Sequence, residues 1–393
     1  MKVTCDRGAL AEAIGLVSSV VAARTPRPQL RCVKITAETV GKSGRLTLAA
    51  TDAEISIELR LEMVAVEQEG ACLVPADKLS QIVRAEDTDP TLALEADGDI
   101  THIRGADAHF QLRGFPADEF PDIPGPESAA KAAADQKSGF THNAGELDEL
   151  IRKTVFATAR ENSRYAINGV LLNRNGKTLE CVATDGRRLA LARTSLDDAG
   201  GEPISVIAPA KALNMLQRLI GDADEPISVS TSDNRIVFAL GLGLAEGGPA
   251  EDCRAVLACN LVEGTFPPYE DVIPKDQDIK VGFDRDVLAS AVRRAALLTN
   301  EESRGVRMAF TGDDKKLELS SRVPEMGEAR IGVDLASFDG TDIEIGFNPA
   351  FITDALKVVD QPDVLLELKA ANKPGLFKAG PGFTYVVMPV NLT

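Results

Sequence analysis

The sequence repeats one order of strand and helix three times, and this repetition limits the possible folds more than any other feature. Each copy opens with a short strand, an Asp or Asn able to cap a helix, and an amphipathic helical run. The opening segments are 3–10, 140–147 and 281–288. In a second anchor, a strand leads through a proline into another helix. The second anchors are 73–79, 206–213 and 345–351. An ordered series with one period indicates three duplicated domains.

The repeats predict an α+β chain in which each of three domains packs two helices against antiparallel sheet. The predicted domains are 1–125, 138–262 and 263–393. The stretch 125–138 is rich in Pro, Ala and Ser and is expected to link the first two domains. The six predicted helices are 7–24, 76–85, 145–160, 209–220, 285–299 and 349–360.

Charge is unevenly distributed between the predicted helices and the remainder of the chain. The 393 residues include 60 acidic and 43 basic side chains, for a formal net charge of −17. The six predicted helices hold 13 basic and 8 acidic residues, a net +5, which leaves −22 elsewhere. Helices on one common face would therefore form a basic surface suited to non-specific phosphate binding. The alternative is ordinary solvated helix faces, since Lys and Arg are good helix formers.

Composition predicts a globular, cytoplasmic protein. No run of 18 apolar residues occurs, which argues against a membrane-spanning helix, and residues 1–6 lack the apolar stretch of a secretion signal. The six cysteines are scattered without a C-x-x-C pair, so we expect buried, reduced thiols with neither zinc nor disulfides. We expect no membrane partner.

Motifs for catalysis or cofactor binding do not occur in the sequence. Its three histidines, His102, His109 and His142, form no H-x-x-x-H pair, and no G-x-S-x-G turn is present. Residues 41–43 look like the end of a phosphate-binding loop, but Thr36 stands where that loop needs glycine, so a hairpin turn is expected. We therefore expect no cofactor, no metal site and no catalytic residue.

Four segments in the second and third repeats have distinctive sequences. They are Arg-Tyr-Ala-Ile-Asn-Gly at 164–169, Thr-Asp-Gly-Arg-Arg-Leu at 184–189, the Phe-Pro segment at 266–274 and Tyr-Val-Val-Met-Pro-Val-Asn-Leu at 385–392. Together they resemble the bacterial sliding-clamp family, the β subunit of DNA polymerase III, over the whole chain. The resemblance implies a head-to-tail homodimer closed into a ring with helices lining the hole. It implies a non-catalytic processivity factor that encircles double-stranded DNA and slides without sequence specificity.

The resemblance also assigns residues to three surfaces. Residues at the DNA would be Arg24, Arg84, Arg164 and Tyr165. Ring closure would pair edge strands of domains one and three, with apolar contacts from Phe110, Leu297 and Leu298. A hydrophobic pocket between domains two and three would bind linear motifs of the replicative DNA polymerase, the clamp loader and other proteins. Its residues would be Ile167, Thr184, Gly186, Arg187, Arg188, Leu189, Pro267, Val272, Ala350, Val386, Val387, Met388, Pro389 and Val390.

Other interpretations are open at this stage. Residues 386–388 also fit a final core strand, and Leu297 fits ordinary core. The family more often has Arg, Met and Arg at the positions of Asp271, Val390 and Asn391, which leaves the peptide preference open. A clamp-fold scaffold that does not encircle DNA would be a monomer or would lack a positive lumen. A hydrolase with an acidic dyad would have a deep pocket and a carboxylate of raised pKa.

Overall fold

Three successive copies of one order of elements make up the chain. The computed structural model describes residues 1–22, 24–86, 89–134, 139–159, 166–197, 201–232, 234–242, 250–299 and 305–391. The first copy comprises β1 Lys2–Asp6, α1 Arg7–Val17, β2 Cys32–Val40, β3 Ser43–Thr51, β4 Ile55–Gln68, β5 Gly70–Pro75, α2 Ala76–Ala85, β6 Thr91–Asp97, β7 Ile100–Arg104 and β8 His109–Arg113. Helix α3, Pro126–Ala134, leads to the second copy.

The second and third copies follow the same order of elements as the first. The second comprises β9 Gly139–Asn143, α4 Ala144–Arg152, β10 Gly169–Asn175, β11 Thr178–Thr184, β12 Arg188–Ser195, β13 Ile204–Pro209, α5 Ala210–Leu219, β14 Pro226–Ser232, β15 Arg235–Leu240 and β16 Ala255–Asn260. The third comprises β17 Ile279–Asp284, α6 Arg285–Ala295, β18 Val306–Thr311, β19 Lys316–Val323, β20 Gly327–Asp334, a short additional β21 Ser337–Asp339, β22 Ile343–Phe347, α7 Pro349–Val358, β23 Asp363–Leu368, β24 Gly375–Ala379 and β25 Phe383–Val387. The predicted threefold repeat of helices and antiparallel sheet is therefore confirmed.

The caps predicted at the three opening segments are formed. The side-chain oxygens of Asp6, Asn143 and Asp284 each accept a backbone N–H from the first turn of the following helix, which satisfies a donor that the helix leaves unpaired. The N···O distances are 2.7 Å from Ala9 to Asp6, 3.0 Å from Glu146 to Asn143 and 2.9 Å from Val287 to Asp284.

Two helices end well before their predicted C-termini. Helix α1 ends at Val17 rather than 24, and α4 ends at Arg152, ahead of the predicted end at 160, which lies outside the described residues. Hydroxyl groups just beyond each end donate to carbonyls of the last turn: Ser19 to Leu16 at 2.5 Å, and Thr154 to Leu150 at 2.8 Å. Such bonds offer the backbone an alternative to further helix.

Helix α3 occupies most of the stretch that the sequence predicts as a linker. Its first residue is proline, which suits a helix N-terminus, and five of its nine residues are alanine, the strongest helix former. Ala129 is buried in a small apolar cluster. The other members are Ala239, Leu242, Cys253 and Val256. The linker is thus a docked helix, a feature that its Pro and Ser content did not indicate.

Antiparallel sheets extend from one repeat into the next within each of two compact units. Unit 1 comprises Met1–Asp148, Asp197–Ile204 and Lys211–Leu261, and unit 2 comprises Glu149–Leu196, Ser205–Ala210 and Val262–Thr393. In unit 1, β4 of the first repeat pairs with β16 of the second inside a 12-stranded sheet. In unit 2, β12 of the second repeat pairs with β25 of the third inside a nine-stranded sheet. Unit 2 also contains the four-stranded sheet β20-β19-β18-β22.

The helices keep the positive charge that the sequence predicts. With their structural bounds, the six helices other than α3 hold ten basic and seven acidic residues, so their net charge is positive.

The cysteines, one turn and the helix lengths complete the description of the fold. All six cysteines are buried and form no disulfide, and burial raises the pKa of Cys32 and Cys72 to about 11. The hairpin turn expected at 41–43 is formed between β2 and β3, with Gly41 at φ +61°. No helix among the described residues is long and apolar enough to cross a membrane.

Candidate partner-binding pocket and DNA-contact residues

A cavity of about 180 Å³ in unit 2 collects most of the residues assigned to the peptide pocket. It lies where the turn between β11 and β12, the end of β25 and the segment 267–272 meet. Ten predicted residues line it: Ile167, Thr184, Gly186, Arg187, Arg188, Leu189, Pro267, Val272, Val386 and Met388. One further residue, Tyr269, completes the wall.

The turn between β11 and β12 is held by its own side chains. The Thr184 hydroxyl donates to the Arg188 carbonyl at 2.6 Å and accepts the Gly186 N–H at 3.1 Å. Asp185 Oδ1 accepts the N–H groups of Arg187 and Arg188 at 3.0 and 3.1 Å. Gly186 has φ +85°, a left-handed conformation that glycine adopts without steric cost. The threonine, aspartate and glycine therefore fix the backbone of this wall.

The largely buried Arg188 side chain connects the cavity wall to neighbouring segments through hydrogen bonds. Its guanidinium donates to Asp185 at 2.9 Å, to Asp354 at 3.0 Å and to the Phe156 carbonyl at 2.8 Å. It also lies 4.5 Å from the ring centroid of Phe351, within the range of a cation–π contact. With two carboxylates already paired to it, the side chain contributes its stem to the wall and little free charge to a ligand.

The cavity has an apolar floor and an exposed apolar rim. Leu189 and Val386 are directly opposite one another on β12 and β25, and both are buried. Above them, Val272 is 45% exposed and Met388 is 39% exposed. Exposed aliphatic groups beside a preformed apolar cavity mark a place where a ligand would remove surface from water.

Tyr269 was not assigned to the pocket from the sequence. Its hydroxyl donates to Glu180 at 3.2 Å, and its ring meets Phe266 edge to face with centroids 6.3 Å apart. Burial, followed by the charges of Glu180 and Glu270, raises the pKa of Tyr269 to about 12, so the phenol is neutral near pH 7. The sequence points to Tyr269 only through its position in the Phe-Pro segment, two residues after the assigned pocket residue Pro267.

Four assigned residues do not line this cavity. Val387 is fully buried on the other face of β25, as expected for the core-strand interpretation, because successive strand residues face opposite ways. Ala350 lines a second cavity of about 460 Å³ at the start of α7. Pro389 and Val390 follow β25, and the Val390 N–H donates to the Gly346 carbonyl at 2.9 Å.

The first repeat contains the same turn, but different side chains stand beside it. Thr51 donates to the Ile55 carbonyl at 2.7 Å, and Asp52 accepts the Ile55 N–H at 2.7 Å, which matches the bonds of Thr184 and Asp185. By the strand registers, Ser56, Ala258 and Asn260 occupy the places of Leu189, Val386 and Met388. The turn in unit 1 thus has small or polar side chains at the three places where the turn in unit 2 has large apolar ones.

The residues assigned to DNA and to the dimer contact are only partly described. Arg24 and Arg84 are exposed, and Arg84 lies in the last turn of α2. Arg164 and Tyr165 lie outside the described residues. Phe110 is half-buried on β8, the last strand of the unit 1 sheet. Leu297 is 78% exposed, which excludes the core interpretation, and Leu298 beside it is partly exposed.

Acidic, histidine and cysteine side chains of the described residues bear on the alternatives of an enzyme or metal site. In that part of the chain, no group of three or more His, Cys, Asp or Glu side chains is arranged to hold a metal. Burial raises the pKa of Glu58, but this carboxylate lies 3.9 Å from Arg60 and lines neither cavity described above. Burial therefore raises this pKa while the charge of Arg60 opposes the shift, and no described cavity makes the carboxylate a candidate catalytic acid.

Comparison with known proteins covers the whole chain. Residues 1–124, 142–268 and 270–391 match the N-terminal, central and C-terminal domains of the DNA polymerase III beta subunit. The beta sliding clamp of Pseudomonas putida is 31% identical over 395 residues, and that of Escherichia coli K12 is 30% identical over 394, each covering all of both chains. A crystal structure of the Pseudomonas aeruginosa DnaN sliding clamp bound to griselimycin covers all of both chains with a TM-score of 0.87 and 30% identity.

Three repeated α+β domains with these relatives define a DNA sliding clamp, a class of protein without catalysis of its own. The chain belongs to the family of the β subunit of DNA polymerase III, as its sequence predicted. Membership implies DNA and a polymerase as partners. The hydrolase and scaffold alternatives are not favoured.

Proposed function

We propose that two copies of this chain close head to tail into a ring around double-stranded DNA. The ring would tether the replicative polymerase, the clamp loader and other proteins through linear motifs bound in the unit 2 cavity. The domains 1–125, 138–262 and 263–393 would each contribute two helices to the lining of the hole. Because bacterial DNA lies in the cytoplasm, we place the ring there.

The observation that carries this proposal is the apolar cavity with its exposed rim. A peptide anchor such as Leu or Phe would cover Val272 and Met388 and fill the space above Leu189 and Val386. Buried anchors in a pocket centre dominate the energy of such interfaces. The flexible thioether of Met388 suits a site that must accept several related motifs.

Helix charge supports the DNA contact in this proposal. The six helices are net positive although the chain has a formal charge of −17. A modest positive charge attracts phosphates without base-specific bonds, and weak contacts allow sliding. Arg24 and Arg84, both exposed, are proposed contacts, together with Arg164 and Tyr165.

Unpaired strand edges support ring closure. Within the described chain, β8 ends the unit 1 sheet and β20 ends the four-stranded sheet of unit 2, so each has one edge free to pair with another strand. Phe110 on β8 and the exposed Leu297 and Leu298 would supply the apolar part of that joint.

Peptide binding tests the pocket. We expect Val272→Glu and Met388→Glu each to weaken binding of a short Leu-Phe peptide at least about tenfold in fluorescence anisotropy, because each places a charge where the anchor must be desolvated. Met326→Glu is the matched control, since Met326 is 74% exposed in the hairpin between β19 and β20, away from the cavity wall. Equal affinities for all four proteins would refute the assignment.

A further inference from the structure

Two of the segments that line the unit 2 cavity carry exposed charges of opposite sign. In one of them, the backbone N–H of Val272 donates to the Tyr269 carbonyl at 3.1 Å, which closes a turn over residues 269–272. Tyr269 and Val272 both line the cavity. The two central residues of the turn, Glu270 and Asp271, are exposed. The turn therefore holds two carboxylates at its tip while its ends form part of the wall.

These two carboxylates are available to a ligand. Among the residues that the structure describes, neither Glu270 nor Asp271 has a salt bridge. Consecutive Cα atoms are about 3.8 Å apart, so the Asp271 carboxylate lies within one side-chain length of the rim residue Val272. A Lys or Arg next to a bound anchor residue would reach it, because an extended peptide advances only about 3.3 Å per residue.

The second lining segment, the turn between β11 and β12, carries the opposite charge. Arg187 lines the wall on the turn between β11 and β12, and it is exposed. Its neighbour Arg188 is already paired with Asp185 and Asp354, so Arg187 supplies the free positive charge of this wall. A peptide bound in the cavity and contacting both segments would thus meet acidic groups at one and a basic group at the other.

We propose that this cavity selects linear peptides in which a basic residue directly flanks the apolar anchor and is bound by Glu270 and Asp271, with Arg187 favouring an acidic group on the opposite flank. This inference rests on the proposed function of the cavity as a peptide site. It adds the charge of the ligand and the direction in which the peptide lies. Attraction of this kind acts between exposed groups, so it weakens as salt screens it.

Two series of labelled peptides test the proposal. Each peptide has one Leu-Phe anchor, and Lys, Gln or Glu stands directly before it in one series and directly after it in the other. At low ionic strength we expect the Lys peptide of one series to bind the wild type about five times more tightly than its Glu counterpart, the size expected for two exposed charge pairs. We expect the opposite order, of smaller size, in the other series.

Two double variants distinguish an effect of the 269–272 turn from an effect of the protein's overall negative charge. Glu270→Gln with Asp271→Asn should abolish the preference, so that in that series the Lys peptide binds this variant no more tightly than the Gln peptide. The matched control is Asp313→Asn with Asp314→Asn, which neutralises two exposed carboxylates at the centre of the turn between β18 and β19, closed by the Lys315 N–H and the Gly312 carbonyl. This control should keep the wild-type preference.

The outcomes distinguish this inference from the function on which it rests. If the Gln peptides bind the wild type but neither series favours Lys, or if the control variant loses the preference equally, the charge selection is refuted and the pocket stands. If the Gln peptides of both series fail to bind, the peptide pocket itself is refuted, and the charge selection falls with it.

Discussion

At the scale of single residues, the two copies of the Thr-Asp turn carry different residues at the same left-handed backbone position. Gly186 and Ala53 both adopt left-handed φ values, +85° and +79°. A side chain in this conformation costs roughly 1–2 kcal/mol, whereas glycine adopts it freely. The first repeat therefore contains a strained alanine where the second has a relaxed glycine, and the hydrogen bonds of Thr51 and Asp52 hold it there.

This difference gives a prediction at the residue scale. Gly186→Ala should lower the free energy of unfolding by about 1 kcal/mol, because it introduces the strain that Ala53 already has. Ala53→Gly should cost less than about 0.5 kcal/mol or be stabilising, since relief of strain offsets the added freedom of the unfolded chain. Urea denaturation followed by circular dichroism measures both. A loss for Ala53→Gly as large as that for Gly186→Ala would contradict the account.

The structure brings residues assigned from sequence together where their motif is contiguous. Thr184 to Leu189 form one turn and the start of one strand, so a linear match brings them to the cavity together. Ala350 lies in the first turn of α7, a helix that contributes Asp354 to Arg188 but no side chain to this wall. Tyr269 was missed because its role depends on a tertiary contact with Glu180, which no linear pattern reveals.

At the scale of elements, helix α3 is the largest feature that the sequence did not predict as a helix. Strand and helix order, N-caps and the Gly41 turn all follow from local patterns, and each was found. The ends of α1 and α4 were not predictable from periodicity, because hydroxyl groups near those ends bond to the last turn. The docking of α3 depends on the apolar cluster around Ala129, whose members are remote in sequence.

Docking of α3 can be tested with one buried and one exposed site. Ala129→Glu should lower the free energy of unfolding by at least about 2 kcal/mol, because it places a carboxylate in a closed apolar cluster. Lys131→Glu introduces the same group at an exposed position of the same helix and should change stability by less than about 0.5 kcal/mol. Thermal unfolding by calorimetry compares them. Equal effects would mean that α3 does not pack as described.

At the scale of the whole molecule, ring closure predicts a dimer whose joint can be weakened. The wild type should sediment at twice the 41.7 kDa chain mass, and Leu297→Ala with Leu298→Ala should shift it toward monomer at micromolar concentration, since the joint loses apolar area. Val287→Ala is the control, because Val287 is 48% exposed on α6 and was not assigned to the joint. An unaltered sedimentation coefficient for the double variant would count against this joint.

The strands that join successive repeats have a consequence for synthesis of the chain on the ribosome. Strand β4 ends at Gln68, but its partner β16 begins only at Ala255. At a synthesis rate of about 5–20 residues per second, the edge of β4 therefore stays unpaired for roughly 10 to 40 s. Strand β12 waits similarly for β25. Open strand edges invite pairing between chains. The emerging polypeptide therefore passes through two aggregation-prone intervals, and a fragment cut after the first domain would keep its β4 edge open permanently.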